Sequence, residues 1–431
     1  MIKKYFEVAT TQYTQIRSSK FFKVFIWDVL SKGADYALLP VYLKILSQEE
    51  YGFYTYVLYI ITTTSGIIKL GIDTAVSKMY YETEQYDRGT MLFSANSIWF
   101  IFFLGLLSLC LMTGIDKIIF ANLLNIPENS YLQIRLFIFA FILFNLIQTT
   151  LNVFFVIDDN ALVYQKYNLI RTIVGNAVVI GLLLFVANGN KAYFRLYIEP
   201  IVFLLSFIPL IIILIKRMKF TINWDAVTHG FKIGLPMVGT LIVGVIYNIS
   251  DKYFLQKTSG YNILAVYNLA LFLTLPISLI FSSFQTVWFP QFLQVKSIQE
   301  RFDKSNKFSL MLINAYLAIF FFLWVGLIIF IYAGLFPKTY LPIISLFPII
   351  FIAKVAESLT QIYNNFIVAW GKTLFNLLVS IFFGFTTLFL NYFIIPDFGI
   401  QGAVAILLIM SIIRIITFFL FVKSHINGAI H

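Results

Sequence analysis

Twelve apolar runs, at about 23–46, 53–71, 91–114, 131–156, 167–187, 195–216, 233–254, 262–286, 308–334, 341–366, 372–395 and 399–421, follow one another through the chain. Each is close to the ~20 residues that cross a bilayer as a helix. Lipid admits only spans whose backbone groups are satisfied internally, which runs of this length do as helices. Composition agrees, with 60% of residues hydrophobic and 12% charged. The expectation is an all-α polytopic membrane protein with twelve transmembrane helices. No connection between runs reaches the roughly 50 residues of a small folded domain.

The net charge of +11 does not form a nucleic-acid-binding face, because the basic residues stand in short clusters between apolar runs. Such clusters set topology. With the N-terminus inside, the inner segments hold most of the Lys and Arg, and the outer helix ends hold a minority that includes Arg195 and Lys252. Both termini are therefore expected in the cytoplasm. The first residues show no cleavable signal pattern, so the N-terminus is expected to be retained. The single cysteine, Cys110, sits inside an apolar run, which leaves no disulfide framework and no thiolate metal site. No metal site and no cofactor is expected.

Organisation follows from the same pattern. Residues 1–22 carry Ile2, Tyr5, Phe6, Ala9, Tyr13 and Ile16 on one helical stripe, which predicts a cytoplasmic amphipathic segment lying on the membrane lipids. A first six-helix bundle occupies 23–216, a cytoplasmic linker 217–232, a second bundle 233–422 and a short cytoplasmic tail 423–431. Within the linker, Ile222-Asn223-Trp224-Asp225 predicts a capped, Trp-anchored interfacial helix before the seventh run. Six runs per half give both halves one orientation, a parallel pseudo-two-fold repeat.

Polar residues inside the runs are the functional candidates. A charge at the bilayer centre costs about 2.5–3.5 kcal/mol on insertion scales, yet the first run places Asp28, Lys32 and Asp35 on one helical face. The fourth run carries Asn145, Gln148, Thr149 and Asn152, and the fifth Asn168, Arg171, Thr172 and Asn176. The seventh carries Asn248 and Asp251, and the tenth Lys354, Glu357, Ser358, Gln361 and Asn364. The uncharged members have two readings, a polar cavity wall or interhelical hydrogen bonds worth about 0.6 kcal/mol each. Lys32 with Asp35, and Lys354 with Glu357, stand i, i+3 apart, a spacing that serves an ion pair as well as a binding site. Arg171 lies near a span end with the length to snorkel. Glu199 precedes Pro200 in the outer half of the sixth run, and Arg414 lies deep in the twelfth without an identified partner.

Several residues form a recognisable pattern: Leu39-Pro40-Val41-Tyr42-Leu43, then Leu46-Ser47-Gln48-Glu49-Glu50-Tyr51-Gly52-Phe53-Tyr54, and Leu70-Gly71-Ile72-Asp73-Thr74-Ala75 with Lys78-Met79-Tyr80. Gly234-Leu235-Pro236 and Asp251-Lys252-Tyr253-Phe254-Leu255 follow in the second half. Together they resemble the polysaccharide-transporter branch of the multidrug/oligosaccharidyl-lipid/polysaccharide (MOP) exporter superfamily, which includes Wzx-type O-antigen flippases. The resemblance implies a MATE-like pair of six-helix bundles around a central cavity in a bacterial inner membrane. It implies a polyprenyl-pyrophosphate-linked oligosaccharide as substrate, with polysaccharide polymerase machinery as a partner. The cavity candidates are then Lys32, Asp35, Asn145, Gln148, Arg171, Asn248, Lys354, Glu357 and Gln361, and Asp35, Glu199 and Glu357 are the groups able to couple transport to H+ or Na+.

Two other classes compete. A multidrug exporter of the same fold would need its acids to outnumber its bases deep in the membrane, whereas Lys32 and Lys354 balance Asp35 and Glu357. A membrane-embedded glycosyltransferase or polymerase would need a large outer loop or an acidic metal site. Asp158-Asp159 alone does not supply the latter, and His229, His425 and His431 all lie outside the runs. Gly371-Lys372-Thr373 resembles the end of a phosphate-binding loop, but Phe366 stands where that loop requires glycine.

Overall fold

In a hydrocarbon environment each backbone N–H and C=O must be paired within its own segment, and the apolar runs satisfy this as helices. The computed structural model describes residues 20–85, 87–185, 189–295 and 297–428, and among them no strand occurs. The amphipathic stripe from Ile2 to Ile16 lies outside the described residues. The helices are α1 Lys20–Ile45, α2 Gln48–Ile68, α3 Ile72–Glu82, α4 Arg88–Thr113, α5 Glu128–Ile157, α6 Ala161–Phe185, α7 Lys191–Arg217, α8 Trp224–Leu273, α9 Leu275–Gln294, α10 Ile298–Tyr332, α11 Ile343–Ala369 and α12 Thr373–Gly428.

Among the described residues eight helices are long and apolar enough to cross a membrane, or nine if α2 and α3, bent by 42° at their junction, form one span. The number is below twelve partly because adjacent runs join. The stretches Leu241–Ser282 and Leu374–Asn427 hold 42 and 54 residues respectively, each enough for two crossings of about 20 residues. Each contains a glycine with non-helical backbone, Gly260 (φ 76°) and Gly399 (φ 54°). The chain is a multi-pass membrane protein.

Several helix starts are chemically defined. Ser47 and Glu50 cap α2 reciprocally: the Glu50 N–H donates to Ser47 Oγ (3.2 Å) and the Ser47 N–H to Glu50 Oε2 (2.8 Å). Asn190 accepts from the N–H groups of Ala192 and Tyr193 at the start of α7. The expected Asn223 cap forms, accepting from Asp225 N (2.9 Å) and Ala226 N (3.2 Å), with Trp224 exposed. The helix it opens differs from the expectation, however. It does not stop before the seventh run but continues through Pro236 to the break at Gly260. A proline inside a membrane helix is tolerated where neighbouring groups re-satisfy the backbone.

The chain divides into two compact units. In the first, comprising 20–45 and 60–239 of the described residues, α1 packs along α6, α7 packs on α5 and α6, and α3 packs on α4 and α5. Its α2–α3 junction turns through Leu70 (φ 51°) and Gly71 (φ 69°), against the backbone of Gly234. A Cβ on Gly71 would lie 2.5 Å from the Gly234 carbonyl oxygen, and one on Gly234 would lie 2.3 Å from that of Leu70. Two backbones in contact this closely require glycine at both positions. In the second unit, comprising 46–59 and 240–428, α12 packs on α11 and α11 on α10. Its core includes Trp288, Phe292, Tyr363, Phe366, Phe418 and Val422.

Candidate functional site

Each unit holds its own cluster of ionisable side chains inside membrane-length helices. In the first unit α1, α6 and α7 bring together Asp35, Tyr42, Asn176, Arg195 and Glu199. The Tyr42 hydroxyl donates to Asn176 Oδ1 (2.7 Å), and the amide of Asn176 reaches Asp35 Oδ1 at 3.5 Å. Arg195 donates through Nε to Glu199 Oε2 (3.0 Å), and its guanidinium covers the Tyr42 ring at 3.6 Å from the centroid. Arg171, Arg195 and Glu199 all act electrostatically on Asp35. The arrangement spaces two acids and two bases so that neither acid is alone, as buried charges require.

Arg171 does not snorkel. It is 9% exposed and enclosed by the rings of Phe203, Phe207 and Phe144, at 4.6, 5.2 and 5.6 Å. Asn168 Oδ1 accepts from its Nε (3.1 Å) and Thr172 Oγ1 from its Nη2 (3.3 Å). Its Nη1 is buried with no hydrogen-bond partner among the described residues. The amide nitrogen of Asn145 is likewise buried without a partner, and the Gln148 carbonyl accepts from Tyr164. Three aromatic faces explain how the guanidinium stays this deep, since each contributes about 0.5–2 kcal/mol of cation–π attraction.

Lys32 pairs differently from the i, i+3 expectation. Its Nζ meets Asp28 Oδ2 at 2.8 Å, and Lys32 is about half exposed. The i−4 carboxylate lies directly beneath it on the helix, while Asp35 turns toward Asn176. Lys354 and Glu357 do form the i, i+3 pair, at 2.7 Å.

In the second unit that pair belongs to a wider network. Glu357 Oε1 accepts from the Tyr247 hydroxyl (3.2 Å) and from Ser411 (3.4 Å). Arg414, whose partner the sequence did not identify, has its guanidinium 5.9 Å from the Tyr247 ring. Asp251 Oδ2 accepts from Tyr267 at 2.5 Å, and Lys252 Nζ meets Asp251 Oδ1 at 3.2 Å and the Asn248 carbonyl at 2.7 Å. Lys252 also lies over the Tyr59 ring at 4.5 Å. The Asn248 side chain is exposed and donates back to Gly244 (2.7 Å), and Gln361 is exposed and accepts from Asn364 (3.4 Å).

Three cations were missed by the sequence reading. Arg195 and Lys252, placed at outer helix ends, are 8% and 4% exposed. Lys69, placed with the inner segments, is 5% exposed and held by Asp73 (2.5 Å), Thr150 Oγ1 (2.6 Å) and the face of Trp99 (5.4 Å). The i, i+4 spacings Lys69–Asp73 and Arg195–Glu199 were legible signals of pairing. Asp158 of the acidic loop pair accepts from Tyr80 (3.0 Å) and Asn160 (3.0 Å), a structural use.

The family model described as polysaccharide biosynthesis protein matches residues 19–296. The chain belongs to this family. Its fold is that of MOP superfamily transporters. It aligns with the lipid II flippase MurJ in an inward closed conformation at TM-score 0.70 and 16% identity, covering 93% of this chain and 87% of that one. An inward-facing multidrug resistance MATE family transporter of the MOP superfamily aligns at TM-score 0.64 and 14% identity, covering 93% and 95%. A MOP superfamily transporter from Pyrococcus furiosus aligns at 0.58 and 14%, covering 95% of each chain. A search of the curated proteins finds no match. In this polysaccharide family member, the motifs around Tyr51-Gly52 and Gly71-Ile72-Asp73 therefore lie within the matched region.

Proposed function

We propose that this protein is a flippase that carries a polyprenyl-pyrophosphate-linked oligosaccharide repeat unit, of the O-antigen, capsule or exopolysaccharide kind, across a bacterial cytoplasmic membrane. The observation that carries the reading is membership of the polysaccharide biosynthesis family, and the likeness to a lipid II flippase supports a lipid-linked substrate. Within each unit a basic side chain stands inside membrane helices: Arg171, whose buried Nη1 has no hydrogen-bond partner among the described residues, in the first, and Lys354, paired with Glu357, in the second. A pyrophosphate is recognised by such charge-assisted bonds. Lys32, with Asn145, Gln148, Asn248 and Gln361, offers further contacts for phosphate and sugar hydroxyls.

The twelve-span reading also belongs to this proposal. It takes α2 with α3 as one span, divides the long helices at Gly260 and Gly399, and counts α1 despite its charges. With both termini cytoplasmic, Asp35, Glu199 and Glu357 are the groups able to couple movement to H+ or Na+ by exchanging a proton or ion against the neighbouring bases. The polymerase machinery that consumes the repeat unit is the expected partner.

The test is complementation of surface-polysaccharide export in a strain lacking its own flippase. Lys354→Ala and Arg171→Gln should abolish export at normal protein levels. Wild-type export from both would overturn the anionic-substrate reading.

A further inference from the structure

The Gly371-Lys372-Thr373 turn, which fails as a nucleotide-binding loop, builds a different feature in the second unit. Trp370 is the C-cap of α11, Gly371 turns the chain in the left-handed region (φ 67°), and Lys372 N–H closes the turn on Ile367 O (2.9 Å). α12 starts there, and its last turn comes back to the same place, so that Lys372 Nζ and His425 Nε2 are in hydrogen-bond contact. The other ring nitrogen, Nδ1, faces the Phe421 carbonyl at 3.3 Å.

An aromatic wall surrounds the two bases. His425 stacks on Trp370 at 5.3 Å and lies tilted by 37° against Phe421 at 4.5 Å, and Phe421 stacks on Phe375 at 3.7 Å. Lys372 Nζ lies 5.7 Å from the Phe421 ring and 6.0 Å from that of Trp370. Behind them lie the buried Phe366, Phe418 and Ile426. Among the described residues no carboxylate forms an ion pair with Lys372 or His425.

The Lys372 ammonium, whose contact with His425 Nε2 supplies no negative charge and which has no carboxylate partner among the described residues, is best neutralised by an anion from outside the chain. The place selects which anion. Three ends of membrane-length helical segments meet here; the ends of membrane spans are where lipid head groups stand, and Trp370 is of a residue type enriched there. We infer that Lys372 and His425, walled by Trp370 and Phe421, form a site for the phosphodiester head group of an anionic phospholipid. Phosphate oxygens accept from the remaining N–H groups of Lys372 Nζ, which His425 holds in place by accepting through Nε2 while Nδ1 donates to the Phe421 carbonyl, and the glycerol and upper acyl carbons lie against the aromatic wall. The inference does not depend on the proposed substrate.

The experiment measures lipid binding to the purified full-length protein in detergent by native mass spectrometry and by the rise in thermal midpoint. The lipids are phosphatidylglycerol and phosphatidylcholine, with inorganic phosphate as a third arm. Phosphatidylglycerol should bind and stabilise where phosphatidylcholine does not. Lys372→Gln should weaken its binding about tenfold, the loss of one charge-assisted hydrogen bond, and His425→Gln should weaken it less, by releasing the ammonium that the ring holds in place. Lys372→Arg should retain it, which separates loss of the charge from loss of folding. Equal binding of both lipids, or an equal loss in Lys304→Gln, whose cation pairs with Glu300 elsewhere on α10, would overturn the site. Stabilisation by millimolar phosphate equal to that by phosphatidylglycerol would overturn the lipid as its occupant.

Discussion

Gly52→Ala should damage the second unit far more than a one-methyl change normally does. A Cβ at position 52 would lie 1.9 Å from the Tyr261 carbonyl oxygen, 2.8 Å from its carbon and 3.2 Å from Ala265 N, and real Cβ contacts do not fall under 3.0 Å. The start of α2 and the chain just past the Gly260 break must therefore separate by about 1 Å to admit it. That separation works against the bonds fastening the two segments: Gln48 Nε2 to Asn262 O (2.8 Å), Asn268 Nδ2 to Thr55 Oγ1 (2.9 Å), and the edge-on Phe53–Tyr261 pair at 5.3 Å. Overpacking of this kind costs about 1–3 kcal/mol, which in a unit of about 200 residues corresponds to roughly 2–12 °C in Tm. The assay is heating of detergent-solubilised protein followed by gel filtration with fluorescence detection. Gly105→Ala is the control, because nothing stands within 4 Å of its added methyl and a helix-interior glycine replaced by alanine gains about 0.5–1 kcal/mol. A Gly52→Ala midpoint equal to or above wild type would refute the steric reasoning.

Lys69→Met removes a 5%-exposed ammonium and leaves Thr150 and Asp73 without their shared donor. Because Asp73 is one-third exposed and regains water, the expected loss is below the 3–5 kcal/mol of a fully buried broken pair, about 1–3 kcal/mol, read as a lowered Tm; an unchanged Tm would show that the pair contributes nothing. Asp116, in the connection between α4 and α5, is buried, which opposes its charge, but the Arg135 guanidinium (2.5 and 2.7 Å) and the Tyr131 hydroxyl outweigh burial and hold its carboxyl below the usual range. A depressed folded-state value gives stability that is complete above the unfolded value of about 3.9 and is lost as pH falls through the folded one. Asp116→Asn should therefore have a flatter stability profile below about pH 4 than wild type, and parallel acid profiles would contradict this.

The elements were legible in the sequence where one kind of force acts alone. Apolar length gave the helices, and Asn223 before Trp-Asp gave a cap that forms as read. Boundaries failed where local signals conflict: Gly234-Leu235-Pro236 looks like a helix start, yet α8 passes through it, and the true break is at Gly260, inside an unremarkable Ser-Gly-Tyr. The Ser47–Glu50 capping box was present in the letters and was read only as motif. The site was legible in kind rather than in partnership. Glu357 with Lys354 follows directly from spacing, but the partner of Arg414 and the burial of Arg171 among three phenylalanines depend on which helices become neighbours. Hydropathy also misplaces a cation such as Lys252, because an aromatic ring and a carboxylate can hold at depth a side chain that the sequence alone would assign to the water boundary.

The proposed function is movement of a lipid-linked anionic head group across a bilayer. Its most direct test is reconstitution into phospholipid vesicles with a fluorescent polyprenyl-pyrophosphate oligosaccharide, scoring the fraction that a membrane-impermeant quencher or glycosidase reaches over time. Wild-type vesicles should show protein-dependent loss of protection, and Arg171→Gln and Lys354→Ala vesicles of equal protein content should retain protection. Protection in wild-type vesicles indistinguishable from protein-free ones, under imposed H+ and Na+ gradients of either sign, would contradict it.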